Sequence, residues 1–521
     1  MLLQILQFLI ISGICFVWGA PVLLLLNRNV SADRLWFNSW SSFLPFLFLS
    51  GCLLLSILAS WLQLFVPMKF GYLLLLTAVT ATATFLLAPK RLSALLPAGA
   101  HPRKAPFTGI GLFFFILCLI VFLLLSCLKT SSGDTRIYHL QIVSWAMHYR
   151  TVPGLANLFP RFGLGSNWFN LIAWFHLFNT GSFSYLNVTL AIWFFIWLVA
   201  RWQYHWQKAS ASAASRALCL FYFLVIAYSL LDWELFRDTS NSTDYDTIVT
   251  ACYFLAIDFL LQILLEPAPP IPAAHEWGPD HGSRSSRLFI LITLAAIGFK
   301  LSGLFILILL AWYLFRRLTW HNFLFTTFTA FFVIAPVLAR NYITTGYLLF
   351  PLPIGTGHPD WQLPAGMANL LRNYITLSNR MYNQDFTNSY AFAREHAHWI
   401  PGWFHSILPQ HKVIMLLTLA STSLFVLKPR VPFDLRRLRT LLALLLIVAA
   451  SWFFLAPSPR FGFGVLLFTA FLPLSFFLGP KIPPSWYRYG FALGSICVLM
   501  YLPGKVRMAA ETPLFWLTPA P

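Results

Sequence analysis

Fourteen apolar runs, each long enough to cross or nearly cross a lipid bilayer, dominate this chain. A spanning helix needs about 20 apolar residues, and fewer where neighbouring helices shelter it. The runs lie near residues 3–26, 43–66, 70–89, 107–128, 182–200, 217–231, 247–265, 288–299, 302–315, 322–338, 412–427, 440–456, 462–478 and 487–503. Helices satisfy their own backbone hydrogen bonds, which lipid cannot do. The sequence therefore predicts an all-α, polytopic transmembrane helix bundle of about 12–14 spans.

Composition excludes two broad alternatives. Hydrophobic residues make up 59% of the 521 residues and charged residues only 10%, whereas a soluble domain carries about a quarter charged residues. A soluble enzyme is therefore excluded, and so much apolar surface also excludes a disordered chain. The net charge of +19 does not indicate a nucleic-acid partner, because the basic residues flank apolar runs, where they meet anionic membrane lipid.

The run at 288–315 is interrupted by Lys300 at its middle, and both of its flanks are basic. One long helix would put these flanks on opposite sides of the membrane. Basic flanks favour the cytoplasmic side, so we predict a hairpin of two short helices with Lys300 at the far tip.

Basic residues also predict the orientation of the bundle. They concentrate in the loops at 89–104, 201–208, 316–317 and 428–439, and such loops stay in the cytoplasm. Both termini and the long loops 129–181, 232–246 and 339–411 then lie outside. The 129–181 loop alternates polar and aromatic residues, which predicts short helices lying along the membrane interface. We therefore expect a multi-pass protein of the cytoplasmic membrane whose functional site faces the periplasm or exterior.

Asp134, in SSGDTRIYH, lies just beyond the outer end of a span. A carboxylate there can act as a general base toward a membrane-embedded substrate, or it can cap the following helix. Its neighbours Arg136, Tyr138 and His139 favour a site. Asp244 and Asp246, in STDYD, lie at the start of the following helix, which at least one of them is expected to stabilise.

Three cations are predicted at the outer ends of spans, namely Lys300, Arg340 and Arg460, and Arg161 in FPRFGLG could join them. Charge within the bilayer is costly, although a long side chain at the edge can reach water. Together these cations could bind a phosphate group. Asp258 instead lies inside an apolar run toward the cytoplasmic half, so we expect it to be paired structurally.

Several familiar chemistries have no motif in this sequence. There is no phosphate-binding P-loop, no GxSxG, no GxGxxG and no HExxH, so an ATP-driven transporter is unsupported within this chain. The 7 cysteines all lie in apolar segments and form neither a disulfide framework nor a zinc-site spacing.

The layout resembles the GT-C superfamily of integral-membrane glycosyltransferases, in particular bacterial members that use polyprenyl-phosphate sugars. The resemblance covers roughly residues 107–503. The matching segments are GDTRIYHLQIVSW (133–145), STDYD (242–246), KLSG (300–303), RNYITTGYLLFP (340–351) and SPRFGFG (458–464). It divides the chain into N-terminal spans (1–106), a GT-C-like catalytic core (107–338), a large outer loop (339–411) and C-terminal spans (412–521).

The chain departs from the family pattern in three ways. Three spans precede the one leading to Asp134, no second acid adjoins Asp134, and no large soluble C-terminal domain is expected. The missing acid argues for a lipid-monophosphate donor instead of a metal-bound pyrophosphate. The missing domain argues against an oligosaccharyltransferase.

The resemblance implies transfer of a sugar, with inversion, from a polyprenyl-phosphate carrier to a lipid, glycan or protein acceptor. Asp134 would be the base. The donor phosphate would meet Lys300, Arg340, Arg460 and Arg161. Sugar or acceptor contacts would come from Arg136, Tyr138, His139, Asp244 and Asp246. No cofactor is required, although Asp134 with Asp244 could bind a divalent cation.

Two alternatives remain open from the sequence. A polysaccharide polymerase or ligase would consume a lipid-diphosphate-linked glycan, and the Arg- and His-rich loop at 339–411 suits that function. A lipid or solute transporter would be built from repeats around a midplane site. The chain has no detectable repeat, and its candidate polar residues cluster toward one face.

Overall fold

The computed structural model describes residues 2–26, 40–87, 109–128, 130, 132–176, 185–209, 212–232, 241–265, 283–317, 319–381, 399–426, 435–483 and 485–511. These residues form helices joined by turns, without any strand. The α-helices are α1 (Leu2–Leu26), α2 (Trp40–Gln63), α3 (Phe70–Leu87), α4 (Gly109–Leu125), α5 (Leu140–His148), α6 (Asn167–Trp174), α7 (Tyr185–Gln207), α8 (Ala213–Leu231), α9 (Asp246–Leu265), α10 (Ser283–Phe299), α11 (Leu307–Arg317), α12 (Trp320–Thr345), α13 (Ala365–Met381), α14 (Trp399–Ser406), α15 (Pro409–Val426), α16 (Leu435–Leu455), α17 (Pro459–Leu478) and α18 (Trp486–Ala510).

The prediction of an all-α polytopic bundle is confirmed. Ten helices of the described chain are long and apolar enough to cross a membrane, and α4, α10 and the segment ending in α11 are shorter apolar helices. With α15, a helix therefore stands at each of the fourteen predicted runs.

Burial separates a central group of helices from a peripheral one. In the apolar stretch of α7, 94% of the residues are buried, whereas 6% are buried in α3 and 17% in α12 and in α18. Helix α7 packs against α2 and α8, and α17 packs against α8, α9 and α15. The outward faces of α3, α12 and α18 are apolar, as contact with lipid requires.

Helices α1 and α2 approach closely through glycines. A Cβ atom at Gly51 would lie 1.9 Å from the carbonyl oxygen of Cys15, and one at Gly19 would lie 2.0 Å from that of Leu47. Small residues at such crossings let backbones touch, which is how helices pack where no hydrophobic effect drives association.

The predicted break at Lys300 is confirmed. Lys300 is extended, with φ −159° and ψ 147°, and a 3-10 helix at Leu301–Ile306 leads into α11. The chain turns back on α10 at Gly303, where a Cβ would lie 2.3 Å from the carbonyl oxygen of Ala296. Lys300 is therefore held at the tip between two short helices.

Two of the long loops contain helices. The 129–181 loop contains the short helices predicted there, and every residue of α6 is buried, so α6 packs inside the protein. The 339–411 loop begins inside α12, which continues to Thr345, and it also contains α13 and α14. The last turns of α12 were not predicted, because polar residues near its end interrupt the apolar pattern.

The prediction that Asp258 is structurally paired is confirmed. Its carboxylate accepts hydrogen bonds from Arg201 Nη2 at 3.1 Å, from Gln262 Nε2 at 2.6 Å and from the hydroxyl of Tyr222. The side chains of Arg201 and Asp258 are 9% and 5% exposed. This network ties α7, α8 and α9 together within the bundle.

Candidate functional site

Helix ends bring three aspartates and three cations to one end of the bundle. Asp134 precedes a π-helical turn at Thr135–His139 after α4. Asp244 and Asp246 stand at the start of α9, and Lys300 follows α10. Arg460 lies in the first turn of α17, and Arg161 lies in a short 3-10 helix at Pro160–Gly163. We call these six residues the charge cluster.

Asp134 contacts two arginines, one with each carboxylate oxygen. Its Oδ2 accepts a hydrogen bond from Arg460 Nη2 at 3.0 Å, and its Oδ1 lies 3.4 Å from Arg161 Nη1. The Arg161 guanidinium also lies over the rings of Tyr138 and Tyr374, at 5.4 and 4.8 Å from their centroids. The predicted base and two predicted phosphate ligands therefore meet, although 326 residues separate Asp134 from Arg460.

Asp246 links Lys300 to Arg460. Its Oδ1 accepts a hydrogen bond from the Lys300 ammonium, and its Oδ2 lies 3.6 Å from Arg460 Nε. The Lys300 ammonium also sits 3.4 Å from the ring centroid of Phe461 and 4.6 Å from that of Tyr245. Arg460 is the residue that joins both carboxylates.

Asp244 is a buried member of the charge cluster. Its Oδ1 lies 3.0 Å from His139 Nδ1, and its Oδ2 accepts a hydrogen bond from Ser132 Oγ at 2.8 Å. Asn187 Nδ2 on α7 donates to the Asp244 main-chain oxygen at 2.7 Å. Both carboxylate oxygens of Asp244 thus have protein partners, and the side chains of His139 and Asp244 are only 2% and 8% exposed.

Burial and charge set the protonation of this end of the bundle. Burial alone would raise the pKa of Asp244, but contact with His139, the charge of Arg460 and the Ser132 hydrogen bond together lower it below its usual value. Burial raises the pKa of both Tyr138 and Tyr245. Burial lowers the pKa of Lys300 to about 8, against the opposing pull of Asp246.

Accessibility distinguishes the three aspartates. The Asp134 side chain is 28% exposed, whereas those of Asp246 and Asp244 are 9% and 8% exposed. A substrate hydroxyl can reach Asp134, while the other two carboxylates are enclosed by protein groups. Among the described residues, no group of three or more His, Cys, Asp or Glu side chains could hold a metal ion.

Two of the predicted site cations, Arg136 and Arg340, lie outside the charge cluster. Arg136 is exposed and donates a hydrogen bond to the carbonyl oxygen of Thr130. Arg340 is buried near the end of α12 and lies against Gly165, with Asn341 Oδ1 at 3.4 Å from its Nη2. Neither makes an ion pair with a cluster carboxylate in the described part of the chain, so the structure does not bring Arg136 or Arg340 into the charge cluster.

The structure adds neighbours that the sequence analysis missed. Tyr245 and Phe461 flank Lys300, Ser132 binds Asp244, and Asn187 holds the Asp244 backbone. Tyr245 lies between two aspartates in the sequence and Phe461 follows Arg460, so both adjoined predicted residues. Asn187 has no such signal, because a lone polar residue in an apolar run gives no partner.

Comparison with known proteins identifies the family to which the chain belongs. No curated protein and no solved structure matches the chain. The family model described as a domain of unknown function, DUF8201, matches residues 1–467. Because this match covers most of the chain, the protein belongs to the DUF8201 family.

Proposed function

We propose that the protein is an inverting glycosyltransferase that moves a sugar from a polyprenyl-phosphate carrier to an acceptor at the outer face of the cytoplasmic membrane. The observation that carries the proposal is the contact of Asp134, the accessible carboxylate, with Arg161 and Arg460. The proposed base and the proposed phosphate ligands thus lie together, where the ends of several spans meet the loops.

The reaction needs a base and charge stabilisation. An acceptor hydroxyl oxygen attacks the anomeric carbon on the face opposite the phosphate, and the bond between that carbon and the phosphate oxygen breaks. The electron pair leaves with the polyprenyl phosphate, and the hydroxyl proton passes to Asp134. Lys300, Arg161 and Arg460 stabilise the charge that grows on the leaving phosphate. A phosphate leaving group removes the need for a second carboxylate acting as acid.

The ion pairs of Asp134 give donor binding a role in activating the base. In the free protein each oxygen of Asp134 contacts an arginine, so the arginines occupy the positions at which an acceptor hydroxyl would hydrogen-bond. A donor phosphate competes for the same guanidinium groups, because phosphate accepts paired hydrogen bonds from arginine. Donor binding therefore frees Asp134 to accept the acceptor proton.

Purified full-length protein in proteoliposomes, supplied with a panel of radiolabelled polyprenyl-phosphate hexoses and with native membrane extract as the acceptor source, tests this function. We expect the label to move to an acceptor and one polyprenyl phosphate to be released per sugar. Release no greater than in empty liposomes would contradict the proposal. Consumption of a lipid-diphosphate glycan instead would indicate a polymerase or ligase, and movement of lipid without a glycan product would indicate a transporter.

Replacing Arg460 by glutamine should lower kcat/KM for the donor by about 10- to 150-fold, the equivalent of one charge-assisted hydrogen bond. Arg460→Lys keeps the charge but cannot bridge Asp134 and Asp246 as a planar fork does, so it should recover part of the loss. Arg488→Gln, which removes an exposed cation on α18, is the matched control. Equal kinetics for Arg460→Gln and Arg488→Gln would remove Arg460 from the donor site.

Lys300 should give transfer an alkaline limit. Its pKa of about 8 means that its charge is lost as the pH rises through 8, so kcat/KM, which reports the free enzyme, should fall above that pH. The unfolded chain keeps this proton up to the ordinary lysine pKa of about 10.4. Because the unfolded state then binds more protons, the Lys300 contribution to folding stability rises between pH 8 and 10.

The opposite signs separate this effect from alkaline unfolding: activity falls while the Lys300 contribution to stability increases. In Lys300→Arg the cation keeps its charge, since arginine stays protonated, and the alkaline limb should move upward by more than one pH unit. An unchanged limb in Lys300→Arg would assign the titration to another group.

A further inference from the structure

A small cavity lies next to the segment that carries Arg161. While Arg161 reaches Asp134, the nearby Phe162 and Gly165 line this cavity of about 30 Å³. A water-sized group needs about 10–15 Å³ of such space, so the cavity holds more than one. Its other walls come from the end of α2, from α5, from α6 and from the last turns of α12.

The cavity is cationic and has no acid. Arg340 and Arg150 line it together with the polar side chains of Gln63, Asn170 and Thr344, and no Asp or Glu is among the lining residues. Trp145 and Phe162 supply an apolar side. A few polar groups thus converge against an aromatic wall, which suits a small polar ligand.

Within the part of the chain that the structure describes, Arg340 is buried without a counter-charge. It is 7% exposed, its Nε atom has no hydrogen-bond partner, and its Nη2 has only the weak 3.4 Å contact with Asn341. By contrast, Arg201, Lys300 and Arg460 each contact a carboxylate. A buried cation without a partner costs several kcal/mol, and a bound anion would offset that cost.

The backbone around Arg340 leaves room for its guanidinium. A Cβ at Gly165 would lie 2.4 Å from Arg340 Cζ, so glycine lets the planar group lie against the chain. The wall is held by backbone hydrogen bonds from Gly154 N to Ile343 O at 2.9 Å and from Thr151 N to Gln63 O at 2.8 Å. The position of Arg340 is therefore built into the fold.

We propose that the Arg340 cavity is a second anion-binding site, which takes a phosphate group and is separate from the charge cluster. The guanidinium fork matches a phosphate in shape and charge. The phosphate comes either from a lipid headgroup or from a free phosphate. The lipid source has support in α12, which carries Arg340 near its end and exposes the apolar side chains of Phe328 and Phe332. This site does not depend on glycosyl transfer.

The test measures the thermal stability of full-length protein in nanodiscs. One arm adds inorganic phosphate to phosphatidylcholine discs at constant ionic strength set with chloride, and the other replaces part of the lipid by phosphatidic acid without free phosphate. A ligand that binds only the folded state raises the Tm in a concentration-dependent way. We expect a rise in both arms, larger with phosphatidic acid; a rise in one arm alone identifies the source.

Arg340→Gln should weaken the apparent phosphate affinity by about tenfold or more. Without anions its Tm should equal or exceed that of the native protein, because an unmatched buried charge has been removed. Gly165→Ala, which keeps the charge but displaces the guanidinium, should also weaken binding, and it answers the question if Arg340→Gln does not fold. Arg488→Gln, which removes an exposed cation on α18, is the control variant.

Arg460→Gln distinguishes this site from the charge cluster, since the stabilisation by phosphate should persist in it. The proposal is overturned if neither arm raises the Tm, or if Arg340→Gln and Gly165→Ala respond to phosphate like the native protein. Loss of the response in Arg460→Gln together with its persistence in Arg340→Gln would overturn it as well, because the phosphate would then bind at the cluster.

Discussion

Asp134→Asn should lower the rate of sugar transfer by about 10²- to 10⁴-fold, the usual contribution of a general base. Asparagine has the same size and still offers one oxygen to Arg161 or Arg460, but it cannot accept the proton of the acceptor hydroxyl. Donor affinity should not weaken, because the arginines lose a competitor for the phosphate. Single-turnover transfer and equilibrium binding of the lipid-linked donor measure the two quantities separately.

The matched control for this change is Asp360→Asn, since Asp360 is an exposed aspartate in the segment between α12 and α13. It should leave both transfer and donor binding unchanged. If Asp134 only held the arginines in place, Asp134→Asn would weaken donor binding and lower the Tm along with the rate. Full activity of Asp134→Asn would remove the base from the proposed mechanism.

Asp258→Asn should lower the free energy of unfolding by about 3–5 kcal/mol, because it leaves the buried Arg201 without its counter-charge. The exposed pair Arg507–Glu511, at 3.8 Å on α18, gives the contrast: Glu511→Gln should cost less than about 1 kcal/mol. Reversible unfolding in mixed detergent micelles compares the variants.

The double variant Arg201→Met, Asp258→Asn separates a lost attraction from a stranded charge. Since it removes both charges, it should be more stable than Asp258→Asn alone, and a double-mutant cycle gives the coupling energy. If Asp258→Asn were as stable as the native protein, the network would contribute nothing to the bundle. If the double variant were no more stable than Asp258→Asn, the loss would lie in the Tyr222 and Gln262 hydrogen bonds.

The fold class and the span positions were predictable because they depend on local composition. A run of about 20 apolar residues becomes a helix in lipid whatever its neighbours are. The break at Lys300 was predictable for a similar reason, since a charge inside an apolar run and basic flanks on both sides are incompatible with one straight span.

The placement of the helices within the loops 129–181 and 339–411 was harder to predict than the positions of the spans. Whether α6 lies on a membrane surface or inside the protein depends on what covers it, and its mixed sequence of Asn, Trp and Phe fits either setting. Its residues, Asn167 and Asn170 included, are buried, and Asn170 Nδ2 hydrogen-bonds Ser60 Oγ on α2 at 3.3 Å. Such a partner, distant in sequence, cannot be read from a local pattern.

The sequence by itself determined that this is a helical membrane protein and that Asp134, Lys300 and Arg460 lie at span ends, because bilayer insertion acts on each segment separately. Only the tertiary structure decided how these charges pair. It brings Arg460 between Asp134 and Asp246, encloses Asp244 with His139, and leaves Arg340 in a cavity of its own. The physical reason is that ion pairing acts over a few ångströms, so it depends on how helices remote in sequence pack together.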